Sequence, residues 1–245
     1  MIIILASQED ASARLLAERW STHGAFLLSP ANLSACGWQY DPLTPGANAA
    51  VFGRRSVQSS EITGVLTRLS WVVQDELMHI MPIDRAYVAS EMNAFLLALL
   101  HGLACPLLNR PTPTSLAGPD WRKEQWVNCA ARLGIPVHTA HRLARPSNVL
   151  STDLRTLNSE LETSNSKPLT RTVTVVGDRC LGTGDEALVN CAQRLAAAAE
   201  VQLLAVHFGD LNGEPRLFNA DLFPDIDSTE IADAILNYFG ERRIH

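Results

Sequence analysis

Lysine is nearly absent from this sequence of 245 residues, in which Lys123 and Lys167 are the only two lysines. Acidic residues outnumber basic ones by 26 to 20, so the formal net charge is −6. A protein that binds nucleic acid without regard to sequence needs a basic face, and this composition disfavours such a partner. Any role that requires an ammonium group falls to one of the two lysines.

Disulfide and metal patterns are also missing, because the five cysteines are odd in number and form no CxxC pair. This pattern favours buried thiols in a reducing, cytoplasmic compartment. Long apolar runs are absent too. We interpret Met1–Ala6, which lacks a basic start, as a strand and not as a signal peptide. The run at Ala94–Leu100 is too short to span a bilayer, so we expect no membrane partner.

The start of the chain predicts a strand–helix–strand unit. Ile2–Leu5 is a continuous apolar run, typical of a strand buried within a parallel sheet. Ser7–His23 carries apolar residues at helical spacing and ends at Gly24, and Ala25–Leu28 predicts the next strand. This order indicates a βαβ unit. Further predicted elements of this half are a strand pair at Ala49–Phe52 and Gly64–Leu69, a helix at Ile83–Leu100 and a strand at Pro106–Asn109.

The second half predicts an α+β unit that follows a change in composition. Residues 145–168 are rich in Ser, Thr and Asn and lack sustained periodicity, which predicts a polar excursion with few core contacts. The predicted elements around it are helices at Trp121–Leu133, Glu186–Ala199 and Thr229–Phe239, and strands at Thr172–Val176, Leu203–Phe208 and Arg216–Asn219.

Four segments in a fixed order carry a family resemblance. They are a strand that ends at Asn109–Pro111, a helix from Trp121–Lys123 to Gly134–Val137, a strand followed by Gly177–Arg179, and the pair Leu203–Phe208 and Leu217–Pro224. Together they resemble the ATP-grasp family, in the carboxylate–amine ligase branch that includes glutathione-synthetase-like and glutamate-ligase-like enzymes. The resemblance covers the chain apart from about residues 140–170.

The resemblance implies an α/β fold class with two domains. A Rossmann-like pre-ATP-grasp domain would span residues 1–115, and a shortened ATP-grasp-like α+β domain would span 116–245. Enzymes of the family bind ATP and magnesium, phosphorylate a carboxylate and let an amine attack the acyl phosphate. Cations and backbone donors must hold the phosphates while charge moves between them. The implied partner is a small-molecule or peptide carboxylate or a biosynthetic partner protein, and a homodimer is an open alternative.

The resemblance also assigns cofactor positions to residues of this chain. His207 stands where the family has an acidic magnesium ligand, and Asn219 and Asp221 stand at the Glu-x-Asn positions. One carboxylate therefore remains of an expected two, and a neutral imidazole or an amide is a poor magnesium ligand. Lys123 matches a nucleotide-binding lysine. Lys167 matches the lysine–proline motif of the lid, about half of which has no counterpart here.

Substrate binding is predicted for a group of residues near the ends of strands. Arg54, Arg68 and Arg110 lie where open α/β sheets place their ligands, and Asn109 belongs to the same loop as Arg110. Guanidinium groups can bind a carboxylate or phosphate with two parallel hydrogen bonds. We therefore expect the three arginines to share a cleft, with ordinary surface arginines as the alternative.

Three functions fit the sequence. The first is an ATP-grasp-like protein with a degenerate nucleotide and magnesium site, acting as a non-catalytic binding or accessory subunit of a biosynthetic or peptide-modifying system. The second is an active ATP-dependent ligase, with ATP and magnesium as cofactors, whereas the first could require none. The third is an unrelated Rossmann-like binding protein.

The polar composition of residues 145–168 generates a prediction about proteolysis. We expect limited proteolysis of the native protein to cut within this stretch first, because few core contacts protect such a segment. Mass spectrometry of the first fragments would locate the cut. Protection of this stretch, with cleavage elsewhere, would contradict the prediction.

Overall fold

The computed structural model describes residues 1–36, 38–39, 41, 43, 49–52, 55–138, 170–211 and 213–242. Arg54, Lys167 and the stretch 145–168 lie outside these residues. The strands are β1 (Ile2–Leu5), β2 (Ala25–Leu28), β3 (Trp38–Gln39), β4 (Ala49–Phe52), β5 (Arg55–Gln58), β6 (Gly64–Thr67), β7 (Leu107–Leu108), β8 (Thr170–Val176), β9 (Arg179–Leu181), β10 (Leu203–Leu211) and β11 (Glu214–Asp221). The helices are α1 (Ala11–Arg19), α2 (Pro30–Cys36), α3 (Arg85–Gly102), α4 (Lys123–Arg132), α5 (Glu186–Ala198) and α6 (Thr229–Glu241).

A parallel sheet of order β2-β1-β6-β7 forms the centre of the N-terminal half. The strand predicted at Ile2–Leu5 is confirmed as an interior strand, with all four residues buried. The helix after it is shorter than the predicted Ser7–His23. It begins after Asp10, whose carboxylate accepts a hydrogen bond from the Ala13 N–H, and Gly24 ends the following turn at φ 69°.

The predicted pairing of Ala49–Phe52 with Gly64–Leu69 is wrong. β4 pairs with β3 and β5 in a small antiparallel sheet, whereas β6 lies between β1 and β7. All four residues of β6 are buried. A strand that is apolar on both faces gains more from the interior of a parallel sheet than from an exposed hairpin.

The second sheet is antiparallel and has the order β11-β10-β8-β9. Helices α4 and α5 cover one face of it, and their apolar side chains form a core with alternate residues of the strands. All three strands predicted for this half are present, and each is longer than predicted. The described fold therefore combines a parallel and an antiparallel sheet in a mixed α/β architecture.

Helix α6 joins the two sheets through a shared core. Its residues Tyr238 and Phe239 belong to one buried cluster with Ile4 of the parallel sheet and Val176 of the antiparallel sheet. Phe239 approaches β6 so closely that a Cβ atom at Gly64 would lie 2.7 Å from its ring. The domain boundary predicted near residue 115 stays a prediction, as does the Rossmann-like character of the first part. No helix among the described residues is long and apolar enough to cross a membrane.

A single buried amide makes a second link between the sheets. Asn109, which follows β7, donates a hydrogen bond from Nδ2 to the Leu203 carbonyl at 2.9 Å. Its Oδ1 accepts from the backbone N–H groups of Gln202 and Leu203, both at 2.7 Å. Asn109 is 2% exposed, so these bonds replace water at the point where β10 begins.

Replacing Asn109 with alanine should destabilise the protein strongly. The change leaves three backbone groups near the start of β10 without partners, and each buried unpaired group costs about 1–3 kcal/mol. We expect the free energy of unfolding to fall by about 3 kcal/mol in urea denaturation. The control is Asn128→Ala on the exposed face of α4, which should change stability by less than about 0.5 kcal/mol. Equal stability of the two variants would contradict this role of Asn109.

Candidate active site on the antiparallel sheet

His207 lies on the face of the antiparallel sheet that is turned away from α4 and α5. The alternate residues of β10 that face those helices are Leu204, Val206 and Phe208. Because successive side chains of a strand point to opposite faces, His207 points the other way. In the sheet register His207 lies between Thr172 of β8 and Asn219 of β11.

A chain of hydrogen bonds runs across this face. Thr172 Oγ1 lies 3.0 Å from His207 Nδ1, and His207 Nε2 lies 2.7 Å from Asp221 Oδ2. The other carboxylate oxygen of Asp221 accepts a hydrogen bond from the Phe223 N–H at 2.9 Å. The His207 side chain is 23% exposed and that of Asp221 is 40% exposed, so solvent reaches the chain. We call Thr172, His207 and Asp221 the polar chain.

A β-bulge adds an aromatic ring and an ammonium group to this site. The register of β10 and β11 shifts between His207 and Phe208, which leaves Phe218 as the extra residue of β11. The Phe218 ring centroid lies 6.0 Å from that of His207. Lys123 Nζ lies 5.6 Å from the Phe218 centroid, within the range of a cation–π contact. The structure thus places Lys123 beside the Phe218 ring, which the residue pattern did not single out.

The residues at the assigned magnesium positions do not fit magnesium. Mg²⁺ prefers oxygen ligands in octahedral geometry and usually binds one or two carboxylates. Here both oxygens of Asp221 and both ring nitrogens of His207 already have protein partners. Asn219 adds only an amide. Within the described ranges, no three His, Cys, Asp or Glu side chains are placed to hold a metal ion.

Arg68 is engaged inside the protein. Its Nε donates to Asp10 Oδ2 at 2.9 Å, and its Nη1 donates to the Pro224 carbonyl at 3.1 Å. The side chains of Arg68 and Asp10 are only 13% and 19% exposed. Because the other oxygen of Asp10 caps α1, this ion pair connects α1 with the ends of β6 and β11.

Arg110 lies elsewhere. It lines a cleft of about 450 Å³ together with Tyr238 and Arg242, and Arg68 is not part of that lining. The structure therefore does not bring Arg68 and Arg110 into a common cleft. The side-chain amide of Asn109 was also predicted to bind substrate, but it hydrogen-bonds to the backbone at the start of β10. For Lys123, Arg68, Asn109 and Arg110, roles in binding a nucleotide or substrate stay predictions.

Cys105, Cys180 and Cys191 offer no activated nucleophile. Burial raises the pKa of Cys105 to about 11, although the nearby Arg110 guanidinium opposes the rise. Burial also raises the pKa values of Cys180 and Cys191. The reactive form of cysteine is the thiolate, so a raised pKa disfavours covalent catalysis by these thiols at neutral pH.

Removing the charge of Arg68 should reduce the stability of the protein, because Arg68 pairs with the largely buried carboxylate of Asp10. In Arg68→Gln the carboxylate of Asp10 stays largely buried and loses its cation. We expect the free energy of unfolding to fall by about 2 kcal/mol, less than for a fully buried pair because both side chains retain some exposure. Arg14→Gln removes the same charge from the exposed face of α1 and serves as the control. A loss no larger than that of the control would show that the Arg68 ion pair contributes little.

Comparison with known proteins gives likenesses at the level of structure alone. No protein-family model and no curated protein matches the chain. The ATP-grasp ligase PsnB, complexed with minimal precursor, Mg and ADP, has a TM-score of 0.65 at 12% identity over 98% of each chain. The macrocyclase MdnC from Microcystis aeruginosa MRC, bound with precursor peptide MdnA, has a TM-score of 0.66 at 12% identity over 98% of this chain and 99% of the other.

A third structure gives the same result. The RiPP-associated ATP-grasp ligase of Chryseobacterium gregarium, in complex with ADP and a leader and core peptide, has a TM-score of 0.66 at 12% identity over 99% of this chain and 98% of the other. Identities this low show a common fold. The chemistry of this chain has to be argued from the residues of its own site. The parallel and antiparallel sheets fit that architecture over nearly the whole chain. The resemblance seen in the sequence is thus confirmed, and the chain has the fold of the ATP-grasp ligases.

Proposed function

We propose that this chain is a non-catalytic member of the ATP-grasp fold, a binding or accessory subunit of a peptide-modifying system with a degenerate magnesium site. The fold is shared with ligases whose solved structures contain precursor peptides. A peptide that carries a carboxylate is accordingly the proposed partner. ATP and magnesium would be cofactors only if the chain were active.

The polar chain is the observation that carries this proposal. Transfer of a phosphoryl group from ATP needs cations that bridge the phosphates, and carboxylates that hold those cations in place. Relative to the family pattern, His207 and Asn219 remove about two negative charges, of which Asp221 recovers one. Without these charges, bound magnesium would be poorly compensated.

The hydrogen bonds of Asp221 strengthen the argument beyond the charge count. Its two oxygens hold the His207 ring and the Phe223 N–H at 2.7 and 2.9 Å. A metal bound through the oxygen that faces His207 would lie beside the imidazole that already bonds to this oxygen. The His207 ring is held on its other side by Thr172, so it has no unoccupied nitrogen to offer in exchange. These bonds support the interpretation of the polar chain as a network of protein groups and not as a set of magnesium ligands.

The proposal predicts weak nucleotide binding that can be strengthened by restoring the family pattern. In isothermal titration with ATP, we expect little magnesium dependence for the wild-type protein. The triple variant His207→Asp, Asn219→Glu, Asp221→Asn should raise magnesium-dependent affinity by about tenfold, equivalent to about 1.4 kcal/mol. This variant adds one net negative charge. Asn128→Asp adds the same charge on exposed α4 and is the matched control.

A second measurement separates the proposal from the active-ligase alternative. The wild-type protein should release no ADP from ATP and magnesium above the level of a blank. Magnesium-dependent ADP release that Asp221→Ala abolishes would show that the chain is an enzyme. Melting curves of every variant would establish that the protein is folded. An absence of binding in the titration could then not be attributed to unfolding.

A further inference from the structure

The cleft that contains Arg110 lies at the edge of the parallel sheet, apart from the polar chain. The turn between α3 and β7, the turn between α5 and β10, and the end of α6 form its walls. Its volume of about 450 Å³ suits a small ligand or the end of a chain. The chemistry-bearing residues of the lining are Cys105, Arg110, Glu200, Gln202, Tyr238 and Arg242.

Two guanidinium groups dominate the charge of the cleft. Arg110 is exposed and has no hydrogen bond or ion pair with the described residues. Arg242 lies over the Tyr238 ring, with its Cζ 4.9 Å from the ring centroid. Its ion pair with Asp178 is long, at 4.0 Å, and the Asp178 side chain is 98% exposed. Such a pair is weak, so Arg242 retains donors for a ligand.

Both positive charges act on the same phenol. Burial raises the pKa of Tyr238, and the Arg242 and Arg110 guanidiniums oppose that rise. Both arginines therefore lie close enough to influence one group from the walls of the cleft. The Tyr238 hydroxyl has no hydrogen-bond partner in the described part of the chain, and neither has the side-chain amide of Gln202. Each can donate to a ligand.

The backbone that carries the arginines is held firmly. Arg110 follows Asn109, whose amide is fixed by three hydrogen bonds to Gln202 and Leu203. Arg242 follows α6, which is anchored in the shared core through Tyr238 and Phe239. Donors mounted on rigid elements lose less entropy when a ligand binds.

We propose that this cleft binds an oxyanion, a carboxylate or phosphate group, between Arg110 and Arg242, with Tyr238 and Gln202 as additional donors. Guanidinium groups bind both anions through parallel N–H···O bonds. Glu200 is the one acid of the lining, and its negative charge lowers the affinity for anions. Anion binding at this site requires neither ATP nor magnesium. Its test can therefore fail or succeed independently of the test of the proposed function.

Titration of the full chain with two simple anions tests the site. Inorganic phosphate represents a free phosphate, and N-acetylglycine represents the terminal carboxylate of a peptide. N-acetylglycinamide has nearly the same shape as N-acetylglycine without the charge, and it should not bind. Binding of either anion supports the site, and the preferred anion identifies the source of the ligand. Binding of neither up to 10 mM, taken as roughly the weakest useful affinity, overturns it.

Variants of the lining give effects of opposite sign. Arg110→Gln and Arg242→Gln should each weaken anion binding about tenfold, because each removes a charge-assisted hydrogen bond. Arg14→Gln removes an equal charge outside the cleft and should leave the affinity within about twofold. Glu200→Gln should strengthen binding about threefold. Melting curves check folding, and equal affinities for the Arg110, Arg242 and Arg14 variants would overturn the proposal.

Discussion

The buried amide of Asn109 is the polar contact that joins the two sheets, beside the apolar core that both share with α6. It ties the end of β7 to the start of β10 through three hydrogen bonds. His207 lies four residues after the start of β10, and the pairing of β10 with β8 and β11 sets the face it occupies. The same contact sets the position of Arg110 at the cleft. One side chain without a charge thus links the strand that carries His207 to the loop that carries Arg110.

Local patterns predicted the elements well, because their causes are local. The interior position of β1 follows from its apolar run, and α5 and α6 follow from apolar residues at helical spacing. The partner of β6 could not be predicted in the same way. In the parallel sheet Gly64 packs against the Phe239 ring of α6, a contact between residues far apart in the chain. Sequence proximity favoured β4 and was misleading.

The candidate site shows the same division between local and distant causes. The family resemblance selected His207 and Asp221, and the structure places them in contact. Their contact is diagonal between neighbouring strands, because His207 lies opposite Asn219 and Asp221 is two residues further along β11. The residue pattern did not reveal the nearby bulge at Phe218. The partner of Arg68 is Asp10, 58 positions earlier in the chain. An arginine near the end of a strand suits a ligand and an internal ion pair equally, and only the fold decides between them.

Magnesium ions and guanidinium groups hold anions in different ways, and the difference bears on what this fold does here. A magnesium ion between carboxylates neutralises charge that develops on a transferring phosphoryl group, so it supports chemistry as well as binding. Guanidinium groups donate hydrogen bonds in a fixed plane and need no further ligand, so they suit recognition without turnover. In the proposed function, the polar chain lacks the charge that the first mode needs, and the anion site proposed at Arg110 would use the second. If both proposals hold, the chain would hold an anionic partner in place, and the reaction would fall to another protein.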